Sequence, residues 1–221
     1  MREKRAYYQK LNKTYPPIMK TQKQDTITEI RLQGRGGQGI VTAGELLGKA
    51  AILEGKFAQS IPTFGPERRG ALSTCSLRIS GQEILLKCSA TTANVLCLLD
   101  PTIWHFVNIT AGFAEQGLMI FNTTKSPQKV YEELRSGDYG YALTVKKCSV
   151  FTVDATGIAL KTLGKAITNT AMMGAFARAT DLVQMASVQA VLQEKFNSRA
   201  VVNLQMAETA YEKLAGEIFS L

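Results

Sequence analysis

Short, continuous apolar runs alternate along this chain with longer segments of helical character. The runs VLCLL and LMIFN are almost wholly apolar, which is typical of strands buried on both faces of a parallel sheet. The predicted strands are 27–33, 57–61, 72–80, 83–87, 94–99, 117–122 and 148–153. The predicted helices are 39–53, 101–115, a segment within 126–136, 155–163, 171–180, 184–196 and 203–218.

This order of elements predicts an α/β fold, a three-layer α/β/α domain with a mixed sheet. An antiparallel hairpin is expected within the sheet, because LSTCSLRIS is followed by Gly81-Gln82 and then by EILLK. Asp100 and Pro101 are expected to begin the helix 101–115, with the aspartate as its cap and the proline in its first position.

A glycine-rich loop joins the first predicted strand to the first predicted helix. Its sequence satisfies G-x-G-x-x-G, and the following helix points unpaired N–H groups and its positive dipole end at the loop. Such a loop can hold a dinucleotide, hold another anion or contact a partner, or serve only as a turn. The candidate binding residues are Gly34, Arg35, Gly36, Gly37, Gln38 and Gly39.

The dinucleotide signature is incomplete. It requires an acidic residue at the end of the second strand to hold the ribose. The second predicted strand carries Gln59 and Ser60 there, and Glu54 comes too early, at the end of the helix.

A second loop, 61–71, contains two prolines and two glycines and carries FGPERRGA. Arg68 and Arg69 offer forked donors to a phosphate or carboxylate of a cofactor; alternatively, one pairs with Glu67 or caps a helix of a partner. The ordered pair GRGGQG and FGPERRGA resembles the gamma subunit, or gamma domain, of the pyruvate and 2-oxoacid:ferredoxin oxidoreductases. The resemblance runs from about Glu29 to the C-terminus and includes Asn169-Thr170 and Gly174-Ala175.

The resemblance implies a subunit of an enzyme that decarboxylates a 2-oxo acid oxidatively, usually to acyl-CoA, with electrons passed to ferredoxin or a similar acceptor. It implies that thiamine pyrophosphate, Mg²⁺ and 4Fe–4S clusters belong to the complex, held by alpha, beta and delta-type subunits. This chain would hold none of them alone. The gamma part would complete the assembly and lie near coenzyme A, the co-substrate.

Charge is concentrated at one end of the 221-residue chain. Residues 1–24 contain seven basic residues and one acidic residue, which gives +6 of the net +8. This arm also contains Tyr7, Tyr8, Tyr15 and Ile18, and we therefore expect it to contact a partner subunit and not a nucleic acid. Residues 25–221 are expected to form the gamma-type domain. Their composition is that of an ordinary globular domain.

Cysteine and histidine usage limits the chemistry of the chain. Cys75, Cys88, Cys97 and Cys148 are widely separated, so no zinc or iron–sulfur motif is present in the sequence. The single histidine, His105, argues against histidine-based triads and metal sites, and we expect it at the surface or satisfied in a helix. No apolar run reaches membrane-spanning length, and a cytoplasmic protein with reduced thiols is expected.

Two other classes of function remain open at this stage. The first is a free-standing Rossmann-type oxidoreductase that uses GRGGQG as its pyrophosphate loop. The second is a non-catalytic nucleotide-sensing module. Neither the 2-oxo acid nor the electron acceptor can be assigned from the residues.

Overall fold

The computed structural model describes residues 27–63, 70–86, 88 and 91–220. The N-terminal arm and the two candidate arginines, Arg68 and Arg69, therefore lie outside the described residues. Within the described part, seven strands form one mixed sheet in the order β2-β3-β1-β4-β5-β6-β7. The strands are β1 (Thr28–Arg35), β2 (Phe57–Thr63), β3 (Leu72–Ser80), β4 (Ala93–Leu98), β5 (Phe113–Asn122), β6 (Lys147–Val153) and β7 (Ala215–Ser220).

Helices cover both faces of the sheet, which confirms the predicted fold class. They are α1 (Ile40–Leu53), α2 (Pro127–Ser136), α3 (Ala155–Leu163), α4 (Asn169–Ala179), α5 (Met185–Phe196) and α6 (Ala200–Lys213). We call the side packed by α1 and α3–α6 the first face, and the side packed by α2 the second face. Strand β5 shows why its run is continuously apolar: Leu118 and Ile120 enter the first core, whereas Met119 and Phe121 enter the second.

The predicted hairpin is wrong. β3 pairs antiparallel with β1 on one side and with β2 on the other, so neither of its edges is free for a following strand. Residues 83–86 accordingly form no strand, and Lys87 lies outside the described residues. β3 instead pairs with the preceding strand, β2, and with the more distant β1.

Two predicted helices are wrong in whole or in part. The segment 101–115 contains a 3-10 turn, Ile103–His105, because the Asp100 carboxylate accepts hydrogen bonds from the N–H and hydroxyl of Thr102 and closes a local turn. β5 then begins at Phe113. The last helix ends at Lys213, and Ala215–Ser220 forms β7, where Gly216 makes room for the ring of Phe151.

The remaining helices agree with the sequence prediction to within a few residues. α2 begins as the sequence suggests, with Ser126 capping the N–H of Lys129 at 3.3 Å and a proline at the start of the helix. None of the helices described reaches the length and apolarity that a membrane span requires.

Candidate functional site at the carboxyl edge of the sheet

The glycine loop lies where the chain changes sides of the sheet. β1 and β4 are parallel neighbours, and both end at what we call the carboxyl edge. After β1 the chain enters α1 on the first face, whereas after β4 it enters the 3-10 turn, whose Trp104 belongs to the core of the second face. Ligands of open α/β sheets bind in the crevice at such a switch point.

The two glycine motifs are joined by backbone hydrogen bonds. The N–H of Gly36 donates to the carbonyl of Ala71 at 2.8 Å, and the N–H of Gly70 donates to the carbonyl of Gly36 at 3.2 Å. These bonds continue the antiparallel β1–β3 ladder, in which Arg35 pairs with Leu72. Gly70 and Ala71, the first described residues of the second glycine motif, are therefore held beside the glycine loop.

Two glycines of the loop adopt conformations that favour glycine. Gly37 has φ +97° and Gly39 has φ +79°. A Cβ at Gly39 would also lie 2.5 Å from Nδ2 of the buried Asn169, at the start of α4. No described residue accepts a hydrogen bond from the N–H of Gly37 or Gly39, so these donors are available to a ligand or a partner.

A side-chain network fills the crevice between the loop and β4. The Gln38 amide donates to Asp100 Oδ2 at 2.7 Å, and its Oε1 accepts from the N–H of Arg35 at 2.7 Å. Arg35 Nε lies 3.5 Å from Asp100 Oδ2, and Arg35 also donates to the hydroxyl of Thr102 at 3.0 Å. Asp100 is 6% exposed. The network holds the loop in one conformation against β4.

Asp100 is ionised in this network. Burial alone raises the pKa of a carboxyl group, but the hydrogen bonds from Thr102 and Gln38 and the charge of Arg35 outweigh burial and lower the pKa of Asp100. The carboxylate therefore contributes to stability wherever it stays charged. The sequence indicated Asp100 only as a helix cap. Its partners Arg35 and Gln38 are more than sixty residues away, so no local sequence pattern predicted these contacts.

We expect Asp100→Asn to lower the free energy of unfolding by about 1–3 kcal/mol at neutral pH, because Gln38 and Arg35 lose a charged acceptor. The folded-state pKa of Asp100 is below its ordinary value of 3.8. The stability that the Asp100 carboxylate contributes is thus fully present at a pH above its ordinary pKa. It disappears as the pH falls through its folded-state pKa. Urea unfolding of both proteins between about pH 7 and about pH 3 measures the difference.

The matched control is Asp138→Asn, since Asp138 is exposed and its carboxylate contacts no described partner. Its effect is expected to stay within about 0.5 kcal/mol. A stability difference for Asp100→Asn that is independent of pH would contradict the role given to its charge.

A cavity of about 530 Å³ adjoins the glycine loop. Its walls are Gly36, Gly37 and Gln38 on one side and the end of α3 with the following turn on the other, including Leu160, Lys165 and Ile167. Leu160 is 51% exposed and Ile167 38% exposed. The cavity thus combines the free N–H of Gly37, one ammonium group and apolar surface, which suits an anionic ligand with an apolar part.

The cysteines do not come together as cluster ligands. Cys75 and Cys97 lie in the core of the first face, Cys148 lies in the core of the second, and Cys88 is exposed. Burial raises the pKa of Cys97 to about 12 and that of Cys148 to about 11, so both stay thiols. Among the described residues, no group of three or more His, Cys, Asp and Glu side chains could hold a metal ion.

His105 is exposed, as expected, although it lies in the 3-10 turn and not in a long helix. Its ring stacks on Tyr139 with 4.7 Å between centroids. No nucleophile among the described residues is paired with it, and the stacking contact is structural.

Comparisons with known proteins assign this chain to a protein family. Residues 29–213 match the family model described as pyruvate ferredoxin/flavodoxin oxidoreductase. The "Pyruvate/ketoisovalerate oxidoreductases common subunit gamma" of Pyrococcus furiosus is 43% identical over 194 residues, which is 87% of this chain and 99% of that subunit. The "Pyruvate synthase subunit PorC" of Methanocaldococcus jannaschii is 40% identical over 187 residues, 84% of this chain and 96% of that one.

A solved structure agrees with these relatives. The pyruvate oxidoreductase subunit PORC of Thermotoga maritima superposes with a TM-score of 0.72 at 28% identity, over 87% of this chain and 99% of that one. The resemblance noted in the sequence is thereby confirmed, and the comparisons give the free-standing Rossmann enzyme no support. This chain belongs to the pyruvate ferredoxin/flavodoxin oxidoreductase family, as a gamma-type subunit of a 2-oxoacid oxidoreductase complex.

Proposed function

We propose that this chain is the gamma subunit of a complex in which alpha, beta and delta-type subunits hold thiamine pyrophosphate, Mg²⁺ and 4Fe–4S clusters. The observation that carries the proposal is the match to gamma subunits over nearly their whole length, together with three cysteines divided between two cores and a fourth that is exposed. When bound in the complex, the cofactors would supply decarboxylation of a 2-oxo acid and electron transfer to ferredoxin or a similar acceptor. The complex is proposed to be cytoplasmic.

The part proposed for this chain is to complete the assembly and to contact coenzyme A at the carboxyl edge. The free N–H groups of Gly37 and Gly39 and the ammonium of Lys165 suit phosphate groups, and Leu160 and Ile167 suit an apolar stem. Arg68 and Arg69 would add forked donors beside them. The competing occupant is a carboxylate of a neighbouring subunit.

Purification of the complex through a tag on this chain tests the subunit assignment. We expect larger subunits and brown iron–sulfur absorbance to co-purify. Changing Cys75, Cys88, Cys97 and Cys148 to alanine is expected to leave the iron content per complex unchanged, because this chain ligates no cluster. Iron that falls in proportion to the altered cysteines, in an intact complex, would contradict the assignment.

Arg69→Ala tests the coenzyme A contact separately. We expect the KM for coenzyme A to rise about tenfold and the KM for the 2-oxo acid to stay nearly constant, because one charge-assisted phosphate contact is lost. Arg69→Lys keeps the charge without the fork and should fall between the two proteins. An unchanged coenzyme A response in an assembled complex would favour a contact to Glu67 or to a partner helix.

The N-terminal arm, residues 1–24, is proposed to contact another subunit of the complex. Its lysines and arginines would speed association with an acidic surface, and its tyrosines would provide retention.

A further inference from the structure

A second cleft lies between α3 and α6, on walls distinct from those of the cavity beside the glycine loop. α3 contributes Ile158, Lys161 and Thr162, and α6 contributes Gln205, Thr209 and Lys213. The residues of α6 are four apart, so they form one polar stripe that faces another helix. The cleft has a volume of about 670 Å³, within the range typical of small-molecule sites.

The position of Lys213 in the cleft follows from the sheet. Ala215 pairs with Thr152 in the β6–β7 ladder, which brings the end of α6 beside Val153 and Asp154. Lys161 lies seven residues beyond Asp154, and seven residues of helix rise about 10 Å. The Cα atoms of Lys161 and Lys213 therefore lie toward opposite ends of the cleft.

Charge in the cleft is unbalanced. Neither Lys161 nor Lys213 has an ion-pair or hydrogen-bond partner within the part of the chain that the structure describes. The carboxylate of Asp154 caps α3, where it accepts from the N–H of Gly157 at 2.7 Å, so the cleft carries two positive charges against one negative charge. Thr209 donates its proton to the carbonyl of Gln205 at 2.7 Å. The donors left for a ligand are the two lysines, the Gln205 amide and the Thr162 hydroxyl.

The floor of the cleft is apolar, because Val153 and Ile158 are buried beneath the polar walls. We propose that the α3–α6 cleft binds an elongated small molecule that carries an anionic group, carboxylate or phosphate, at each end of an apolar stem. The two ammonium groups would hold the ends, and the floor would contact the stem. This site is separate from the proposed coenzyme A contact and does not depend on it.

Equilibrium dialysis of labelled suberate, a long dicarboxylate, against the assembled complex tests the proposal, with hexane-1,6-diol bisphosphate as the phosphate arm. We expect saturable binding at one site per chain, with succinate, a short dicarboxylate, and octanoate, a monocarboxylate, each at least about tenfold weaker. Tighter binding of the bisphosphate would assign phosphate as the end group, and tighter binding of suberate would assign carboxylate.

Lys161→Met and Lys213→Met keep the side-chain stem and remove one charge each. Each is expected to weaken binding about tenfold, whereas Lys195→Met, at an exposed lysine of α5, should leave it unchanged. Absence of saturable binding, or binding insensitive to both cleft substitutions, would overturn the proposal. Binding by the free full-length chain that is lost on assembly would also overturn it, because the cleft would then receive another subunit.

Discussion

Gly174→Ala is expected to lower the free energy of unfolding by about 3–5 kcal/mol. Gly174 lies on α4, where this helix crosses α6. A Cβ there would overlap the backbone carbonyl of Ala207. A backbone atom cannot rotate away as a side chain does, so the two helices would have to separate. Equilibrium unfolding in urea measures the loss.

The matched control is Gly48→Ala, because Gly48 also lies inside a buried helix, α1. A Cβ at Gly48 would find Leu77 Cδ1 at 3.5 Å and Ala58 Cβ at 3.6 Å, which are ordinary contacts. Alanine favours a helix over glycine by about 1 kcal/mol, so this variant is expected to be neutral or more stable. Similar losses in both variants would show that helix separation is not the cause.

Arg78→Ala is expected to lower the free energy of unfolding by about 3–5 kcal/mol, because it leaves a buried charge unpaired. The Arg78 side chain is 2% exposed, and its Nε donates to Glu29 Oε1 at 3.0 Å. Its Nη1 donates to the Gln59 side chain at 3.0 Å. Removal of the guanidinium leaves the Glu29 carboxylate, itself 14% exposed, buried without its positive partner. Thermal and urea unfolding measure the loss.

The double variant Arg78→Met with Glu29→Leu separates the charge penalty from the packing. It removes both charges and is expected to recover most of the stability, because the cost lies in the unpaired carboxylate and not in the lost pair. Lys49→Ala serves as the control for an exposed ion pair, because the side chains of Lys49 and Glu194 are 58% and 69% exposed. Its free energy of unfolding is expected to fall by only about 0–1 kcal/mol. A double variant as unstable as Arg78→Ala would refute this account.

The sequence predicted the buried strands well because their apolar character follows from burial on both faces. β4, β5 and β6 each send alternate side chains into two cores, so most of their buried positions are apolar. The errors concern segments whose structure depends on distant partners. Ala215–Ser220 directly follows a helical segment in the sequence, but pairing with the open edge of β6 makes it a strand. The segment 101–115 loses its helix to a turn that Asp100 and Thr102 close.

The position of the glycine loop was predicted from the sequence, but its contacts were not. The sequence located the glycine loop because its pattern is local, and glycine is needed where φ is positive. It did not predict that Gln38 and Arg35 would be engaged by Asp100, since that contact exists only after β1 and β4 pair. The ladder that joins the two glycine motifs was equally invisible in the sequence, because the prediction paired β3 with the wrong segment.

The buried arginine on β3 bears on how accurately the chain folds. Ser76 and Arg78 point to the second face, and Cys75 and Leu77 point to the first. If β3 slipped by one residue against β1, every side chain would exchange faces. Arg78 would then enter the apolar core without Glu29, at a cost that far exceeds the gain of any alternative ladder. The buried charge of Arg78 thus disfavours a shifted register of β3 against β1 and β2. The correct register in turn aligns both glycine motifs at the carboxyl edge.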